Sequence, residues 1–182
     1  MNSGTAASSV TIRRAELRDA ERLASFGAAA FEDTFAADNT PEDMAAYLSE
    51  AFGPEVQRAE LADDACTVWL AEHDGALAGY AMLREGSAPR AVDSENAIEI
   101  ARLYAGREWI GMGVGSRLMQ RCLDDAAARG RSMIWLGVFE KNTRAIEFYR
   151  RWEFVDVGGQ TFTVGSDIQD DRIMARRLHG AG

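Results

Sequence analysis

The sequence predicts a single mixed α/β (α+β) domain in which a mostly antiparallel central sheet is flanked by helices. Three observations carry this. The 182 residues are 47% hydrophobic and 27% charged, enough apolar chain to close a core without metal or disulfide staples. The apolar period switches repeatedly between strand and helix spacing, in the order β-α-α-β-β-β-α-β-α-β-β. Neither an internal repeat nor a linker rich in Pro, Gly or Ser divides residues 10–178, with polar tails at 1–9 and 179–182.

Val10 to Arg13 alternates and is rich in β-branched residues, so it reads as the first strand, and Leu17 to Phe35 follows with apolar residues at helical spacing. Thr40-Pro41-Glu42-Asp43 is a helix start: a capping Thr, Pro at the first helical position and acids in the first turn. The helix it launches runs through Met44, Tyr47, Leu48 and Phe52 and stops at Gly53-Pro54, with a short helical piece at 55–61. Cys66 to Glu72 and Leu77 to Leu83 form a hairpin about the Asp74-Gly75 turn. After a loop at 86–96, Ala97 to Ala105 is a strand, and Gly113 to Arg129 is an amphipathic helix with Val114, Leu118, Cys122 and Leu123 on its apolar face and Gly130 as its stop. Met133 to Val138 is a short apolar strand and Asn142 to Trp152 a helix. Phe154 to Thr163 and Ile168 to Ala175 close the chain as an antiparallel pair.

Charge and cysteine content exclude several classes. Against 29 acidic side chains stand 20 basic ones, a net charge of -9 that disfavours nucleic acid as a partner and tolerates a cationic one. Cys66 and Cys122 both fall in apolar patterns, form no Cys-x-x-Cys pair and have only His73 and His179 as companions, so neither a metal site nor a disulfide framework is expected. Residues 1–9 have neither a basic start nor an apolar segment and read as a frayed tail or cloning remnant. No run reaches the ~18 residues of a membrane span. The expected location is the cytoplasm, without membrane attachment.

The chemistry concentrates in two clusters. Leu103-Tyr104-Ala105 is followed after a short turn by Gly111-Met112-Gly113-Val114-Gly115-Ser116 at the mouth of a helix. Glycines there leave room for a ligand, and the free N–H groups and dipole of the first turn can receive a phosphate; tight helix entry alone explains the same pattern. No Gly-Lys-Ser/Thr follows, so this is not a Walker loop, and it comes too late in a largely antiparallel order for a Rossmann fingerprint. The second cluster runs from Trp135-Leu136-Gly137-Val138 through Asn142, Ala145 and Ile146 to Phe148-Tyr149 and Trp152-Glu153-Phe154.

Together the two clusters resemble the Gcn5-related N-acetyltransferase (GNAT) superfamily, with its pyrophosphate loop followed by a strand, an Asn and a helix carrying Phe-Tyr. The element order matches from Val10 to Ala175. Within the superfamily, Ile-Glu-Ile-x-Arg-Leu-Tyr from Ile98, Trp-Leu-Gly-Val-x-Glu-Lys-Asn from Trp135 and Asp-Arg-Ile-Met-Ala from Asp171 look most like the PaiA-type spermidine/spermine acetyltransferases. The resemblance implies acetyl-CoA as co-substrate. Leu103, Tyr104 and Ala105 would offer backbone groups to its pantetheine arm, and Gly111, Met112, Gly113, Val114, Gly115 and Ser116 would cradle its pyrophosphate. Asn142 would hold it near the pantetheine, and Tyr149 would stand by the sulfur. Ile110 departs from the usual Gln or Arg, removing one side-chain contact, and Glu153 replaces the usual Gly before Phe154.

Tyr149, protonated at neutral pH, suits the general acid that protonates the departing thiolate; otherwise it is an aromatic filling the core. Glu99 shares a strand face with Ala101, opposite Ile98 and Ile100, and is either the base that deprotonates the acceptor, through a water, or a solvated strand residue. Glu32 and Asp33 are candidates for collecting a cationic acceptor, against a merely solvated helix face. Lys141 and Arg144 flank Asn142 and can attract phosphates. His73 reads as an exposed turn residue, and Trp69, Trp109, Trp135 and Trp152 as core or rim packing. No nucleophile for a ping-pong route presents itself. The expected reaction is direct transfer of acetyl to a primary amine, with a polyamine such as spermidine or spermine as favoured acceptor. The alternatives are another amine (a protein N-terminus, an amino acid or an aminoglycoside) and a non-catalytic acetyl-CoA-binding regulatory module, which the missing Gln/Arg at Ile110 keeps open. Relatives are often homodimers, so a dimer is an open expectation.

Overall fold

The computed structural model describes residues 10–178; the tail readings at 1–9 and 179–182, and His179, lie outside the described residues. Its elements are β1 (Thr11–Arg14), α1 (Ala20–Phe35), α2 (Pro41–Ala51), α3 (Pro54–Ala62), β2 (Cys66–His73), β3 (Ala76–Arg84), β4 (Ala97–Ala105), α4 (Val114–Ala128), β5 (Met133–Phe139), α5 (Thr143–Arg151), β6 (Val155–Val164) and β7 (Asp167–Arg177). The expected order stands, and the short piece after Pro54 is a full helix, α3. Local chemistry accounts for several boundaries. Thr40 Oγ1 accepts from the Asp43 N–H at 3.2 Å to start α2. The hairpin between β2 and β3 turns on Asp74 and Gly75, both at positive φ (49° and 79°), the paired left-handed geometry that matches strand twist.

Seven strands form one sheet in the order β1-β2-β3-β4-β5-β7-β6, antiparallel except for β4 beside β5. That one parallel pairing is short: only Ala97, Ile98 and Glu99 face Met133, Ile134 and Trp135. Beyond it β4 stays with β3 as far as Ala105, while β5 stays with β7 as far as Phe139, so the two halves of the sheet part. A bulge assists: Leu83 pairs with Ile100 but Met82 pairs with Arg102, leaving Ala101 as an extra residue that bends and twists β4.

The bulge also reverses the side-chain phase. Ile98, Ile100, Leu103 and Ala105 pack on the face covered by α4 and α5, whereas Tyr104 packs with Tyr80 and Leu70 on the opposite face, under α1 and α3. Strict alternation from Ile98 would have placed Leu103 and Ala105 on the wrong side. α4 buries Val114, Leu118, Met119 and Cys122 completely against the first face. α2 closes the other end through Met44, which clusters with Phe31, Phe52 and Val164.

The Glu153 departure now has a shape. α5 ends in a Schellman arrangement: the Phe154 N–H donates to the Tyr149 carbonyl at 3.1 Å, and the Glu153 N–H to the Arg150 carbonyl at 3.0 Å. This needs a left-handed residue, and Glu153 takes φ 63°, with its carboxylate against Arg176 at 2.9 Å. That ion pair is solvent-exposed on the Glu side and offsets little of the left-handed cost. Glu153→Gly is therefore expected to raise unfolding stability by up to about 1 kcal/mol, read as a higher denaturation midpoint at unchanged slope.

Candidate functional site

The parting of β4 from β5 opens a cavity of about 530 Å³ that passes through the sheet, walled by Ile100 to Ala105 on one side and Gly137 to Phe139 on the other. On the α4 face it meets the glycine loop. Gly113 caps α4 at φ 85° with no side-chain cap, and the first intrahelical bond runs from the Arg117 N–H to the Gly113 carbonyl at 3.0 Å, so the N–H groups of Val114, Gly115 and Ser116 have no acceptor within the helix. A Cβ built on Gly111 or Gly113 would meet nothing within 4 Å, which leaves open space above those amides. A pyrophosphate fits such a mouth, and unpaired strand edges suit the amides of a pantetheine arm.

Of the residues singled out in the loop, Gly111, Gly113, Gly115 and Ser116 line the cavity, as do Leu103, Tyr104 and Ala105. Met112 points to solvent and the Val114 side chain is buried under α4, so either can contribute only through its backbone. Asn142 lines the cavity too, but its Oδ1 accepts from the Ala145 N–H at 3.2 Å as the cap of α5; its amide N–H₂ is the group left for a ligand. Tyr149 is buried in the same wall, with its ring against Phe148 and Phe154 at centroid distances of 5.5 and 5.9 Å. Burial, reinforced by the nearby Cys122 thiol, pushes the Tyr149 phenol well above its ordinary value and keeps it protonated. Cys122 itself is pushed up to about 12 by burial, which makes it a poor nucleophile.

The acidic candidates fare differently. Glu99 does not line the cavity: it sits where β4 and β5 begin to part, half-buried, with burial raising its carboxyl against the opposing pull of Arg84 and Arg102. Glu32 and Asp33 are exposed on α1. Asp33 borders a second hollow at the cavity mouth with Arg107 and Arg144, whereas Glu32 borders neither hollow. Arg144 lines both, while Lys141 lies 5.8 Å from the Phe139 ring. His73 is half-buried against Trp109 at 4.8 Å, a packing role in place of the exposed turn residue expected, because the Trp109 turn folds over the hairpin end.

The far side of the cavity, under α1 and α2, holds groups that local patterns did not single out. Phe35, Tyr47, Phe139 and Phe162 wall it. Arg102 enters it from β4, held by Glu60 of α3 at 2.6 and 3.0 Å and lying 5.1 Å from the Phe52 ring centroid. Asp171 enters from β7, opposite Phe139. One signal for Asp171 was legible: on β7 it falls in phase with the buried Ile173 and Ala175, where an acid is out of place unless it has a purpose.

Comparison with known proteins agrees with this geometry. The model of the acetyltransferase (GNAT) family matches residues 29–154. An uncharacterized N-acetyltransferase of Mycobacterium bovis is 32% identical over 162 residues, covering 89% of this chain and 99% of its own. One from Lactobacillus delbrueckii subsp. lactis is 30% identical over 148 residues, 81% of this chain and 86% of its own. The crystal structure of the PaiA N-acetyltransferase of Thermoplasma acidophilum in complex with coenzyme A superposes with a TM-score of 0.75 at 22% identity, covering 93% of this chain and 99% of that one, a likeness of fold.

Proposed function

This chain belongs to the GNAT family of acetyltransferases and uses acetyl-CoA as co-substrate, and from that premise we propose that it transfers acetyl directly to a primary amine of a polyamine such as spermidine or spermine. The observation that carries the reading is the continuous cavity through the parted sheet, which joins the glycine loop and Tyr149 on one face to an aromatic chamber holding the Asp171 carboxylate on the other.

Bound acetyl-CoA supplies the electrophilic thioester carbonyl. The chain's own groups do the rest. The amides of Val114, Gly115 and Ser116 receive the pyrophosphate, and the strand edge at Leu103 to Ala105 orients the arm that crosses the sheet. Asn142 adds its amide N–H₂ from the start of α5. Tyr149 holds a proton at its phenol oxygen for the departing sulfur, and the apolar packing around its ring excludes competing water. Glu99 acts through a water as the acceptor of the amine's proton, its raised carboxyl bringing it nearer to neutrality. Asp33, at the mouth, draws cations inward together with Glu32. No helix of the described residues is long and apolar enough to cross a membrane, which is consistent with the cytoplasmic location proposed here.

A thiol-release assay tests the reading with acetyl-CoA and a panel of spermidine, an amino acid, an aminoglycoside and a peptide with a free N-terminus. Spermidine is expected to accelerate thiol release most. A clear preference for another member replaces the polyamine with that amine. Binding of acetyl-CoA without acceleration by any amine, from neutral to alkaline pH, overturns the enzymatic reading in favour of a regulatory module.

A further inference from the structure

The acceptor side of the cavity contains two charged side chains, and their surroundings differ. Arg102 is already neutralised: both of its terminal nitrogens meet Glu60, at 2.6 and 3.0 Å, so its fork is closed to an acceptor carboxylate. Asp171 makes no side-chain hydrogen bond or ion pair among the described residues. It lines the cavity beside Gly137, where a built Cβ would come within 3.4 Å of Asp171 Oδ2 and 2.6 Å of Gln160 Nε2, so the glycine leaves room for this carboxylate and the Gln160 amide to lie over β5. Burial and the neighbouring Asp170 push the Asp171 carboxyl up to about 6, as befits an acid whose counter-charge the chain does not provide.

The walls suit a cation as well. Phe35 meets Phe139 edge-on at 6.1 Å and Tyr47 meets Phe162 at 5.6 Å, presenting ring surfaces that attract alkylammonium groups and exclude anions. Position sets the length. Asp171 belongs to β7, whose backbone lies about 4.8 Å beyond β5, and its carboxylate reaches back beside Gly137 at the edge of the gap, a few ångströms to one side of it. That span corresponds to a few methylenes.

We propose that Asp171 is the specificity-determining residue of the acceptor site, its carboxylate receiving a second cationic group a few methylenes from the reacting nitrogen and so selecting aliphatic diamines and polyamines without a carboxylate. The proposal rests on the acetyltransferase reading above and deepens it by assigning the charge selection to Asp171 rather than to Glu32 and Asp33.

The test compares 1,4-diaminobutane with n-butylamine as acceptors, by kcat/KM at saturating acetyl-CoA, for the unaltered protein, Asp171→Asn and Asp171→Glu. The unaltered protein is expected to favour the diamine by at least about 10-fold, chiefly through KM, as a charge-assisted contact provides. Asp171→Asn brings that ratio close to one, and Asp171→Glu, which keeps the charge, restores most of it. Thermal melting of each variant shows that the fold persists. A diamine-to-monoamine ratio that survives in Asp171→Asn, or equal use of both amines by the unaltered protein, overturns the proposal and leaves the acetyltransferase reading standing. Absence of thiol release with both of these amines, while another amine of the panel above accelerates it, overturns this proposal and the polyamine acceptor and leaves the acetyltransferase activity standing.

Discussion

Tyr149→Phe is expected to lower turnover by about 100-fold or more while changing acetyl-CoA affinity by less than about 3-fold. The asymmetry follows from what the substitution removes. The ring remains, and with it the packing on Phe148 and Phe154 that holds α5 against the sheet; only the phenol oxygen is lost. That oxygen carries the proton proposed for the leaving sulfur, and burial beside Cys122 means that no ordinary change of pH strips it. The kcat effect should therefore be largest with poor leaving conditions and flat across neutral pH. Equal losses in turnover and in acetyl-CoA binding, measured by calorimetry, would make Tyr149 a packing residue. The Schellman ending of α5 strengthens the expectation, because the Tyr149 carbonyl is itself the acceptor for the Phe154 N–H and its backbone position does not depend on the hydroxyl.

Glu60→Ala is expected to cost about 3 kcal/mol in unfolding free energy, near the lower end for breaking a buried ion pair because both partners keep a little solvent contact. Glu60 joins α3 to β4 through Arg102 and also meets Arg84 of β3 at 3.3 Å. Without it, Arg102 keeps the Ala51 carbonyl at 3.4 Å, the Met82 sulfur at 3.9 Å and the Phe52 ring, none of them a counter-charge. An unpaired guanidinium would then face the acceptor chamber, so the KM for a cationic acceptor should rise while acetyl-CoA affinity is preserved. Denaturant titration measures the first effect and steady-state kinetics the second. Replacing both partners, as Glu60→Leu with Arg102→Met, should recover most of the stability, since no buried charge is left without its partner. A double variant no better than the single would place the loss in the packing of α3 instead.

Much of this molecule is written locally. The Thr40-Pro41 start of α2, the Asp74-Gly75 hairpin and the glycine mouth of α4 are each decided by a few adjacent residues whose backbone preferences admit one outcome, and each is found in place. The same holds for Tyr149 and Asn142, whose spacing along one helix brings both to the cavity wall. Other features depend on partners that no local pattern contains. The bulge at Ala101 arises from how β4 pairs with β3, and it alone puts Leu103 on the face of Ile98 and Ile100 and Tyr104 on the opposite one. Glu99 shows the same limit, since its strand phase was readable but its distance from the cavity depends on where β4 and β5 separate.

By itself, then, the sequence determined the order of elements and the placing of the glycine loop, Asn142 and Tyr149, because helix caps, turns and periodicity are short-range physics, while the acetyl-CoA reading of that end follows from the family resemblance. The acceptor end was decided only by tertiary structure. Glu60 and Arg102 lie 42 residues apart in the chain, and Asp171 faces the chamber only because β7 inserts between β5 and β6. Charges brought together across a sheet leave no periodic trace, and which of them is neutralised and which is left for a ligand is settled by burial and distance.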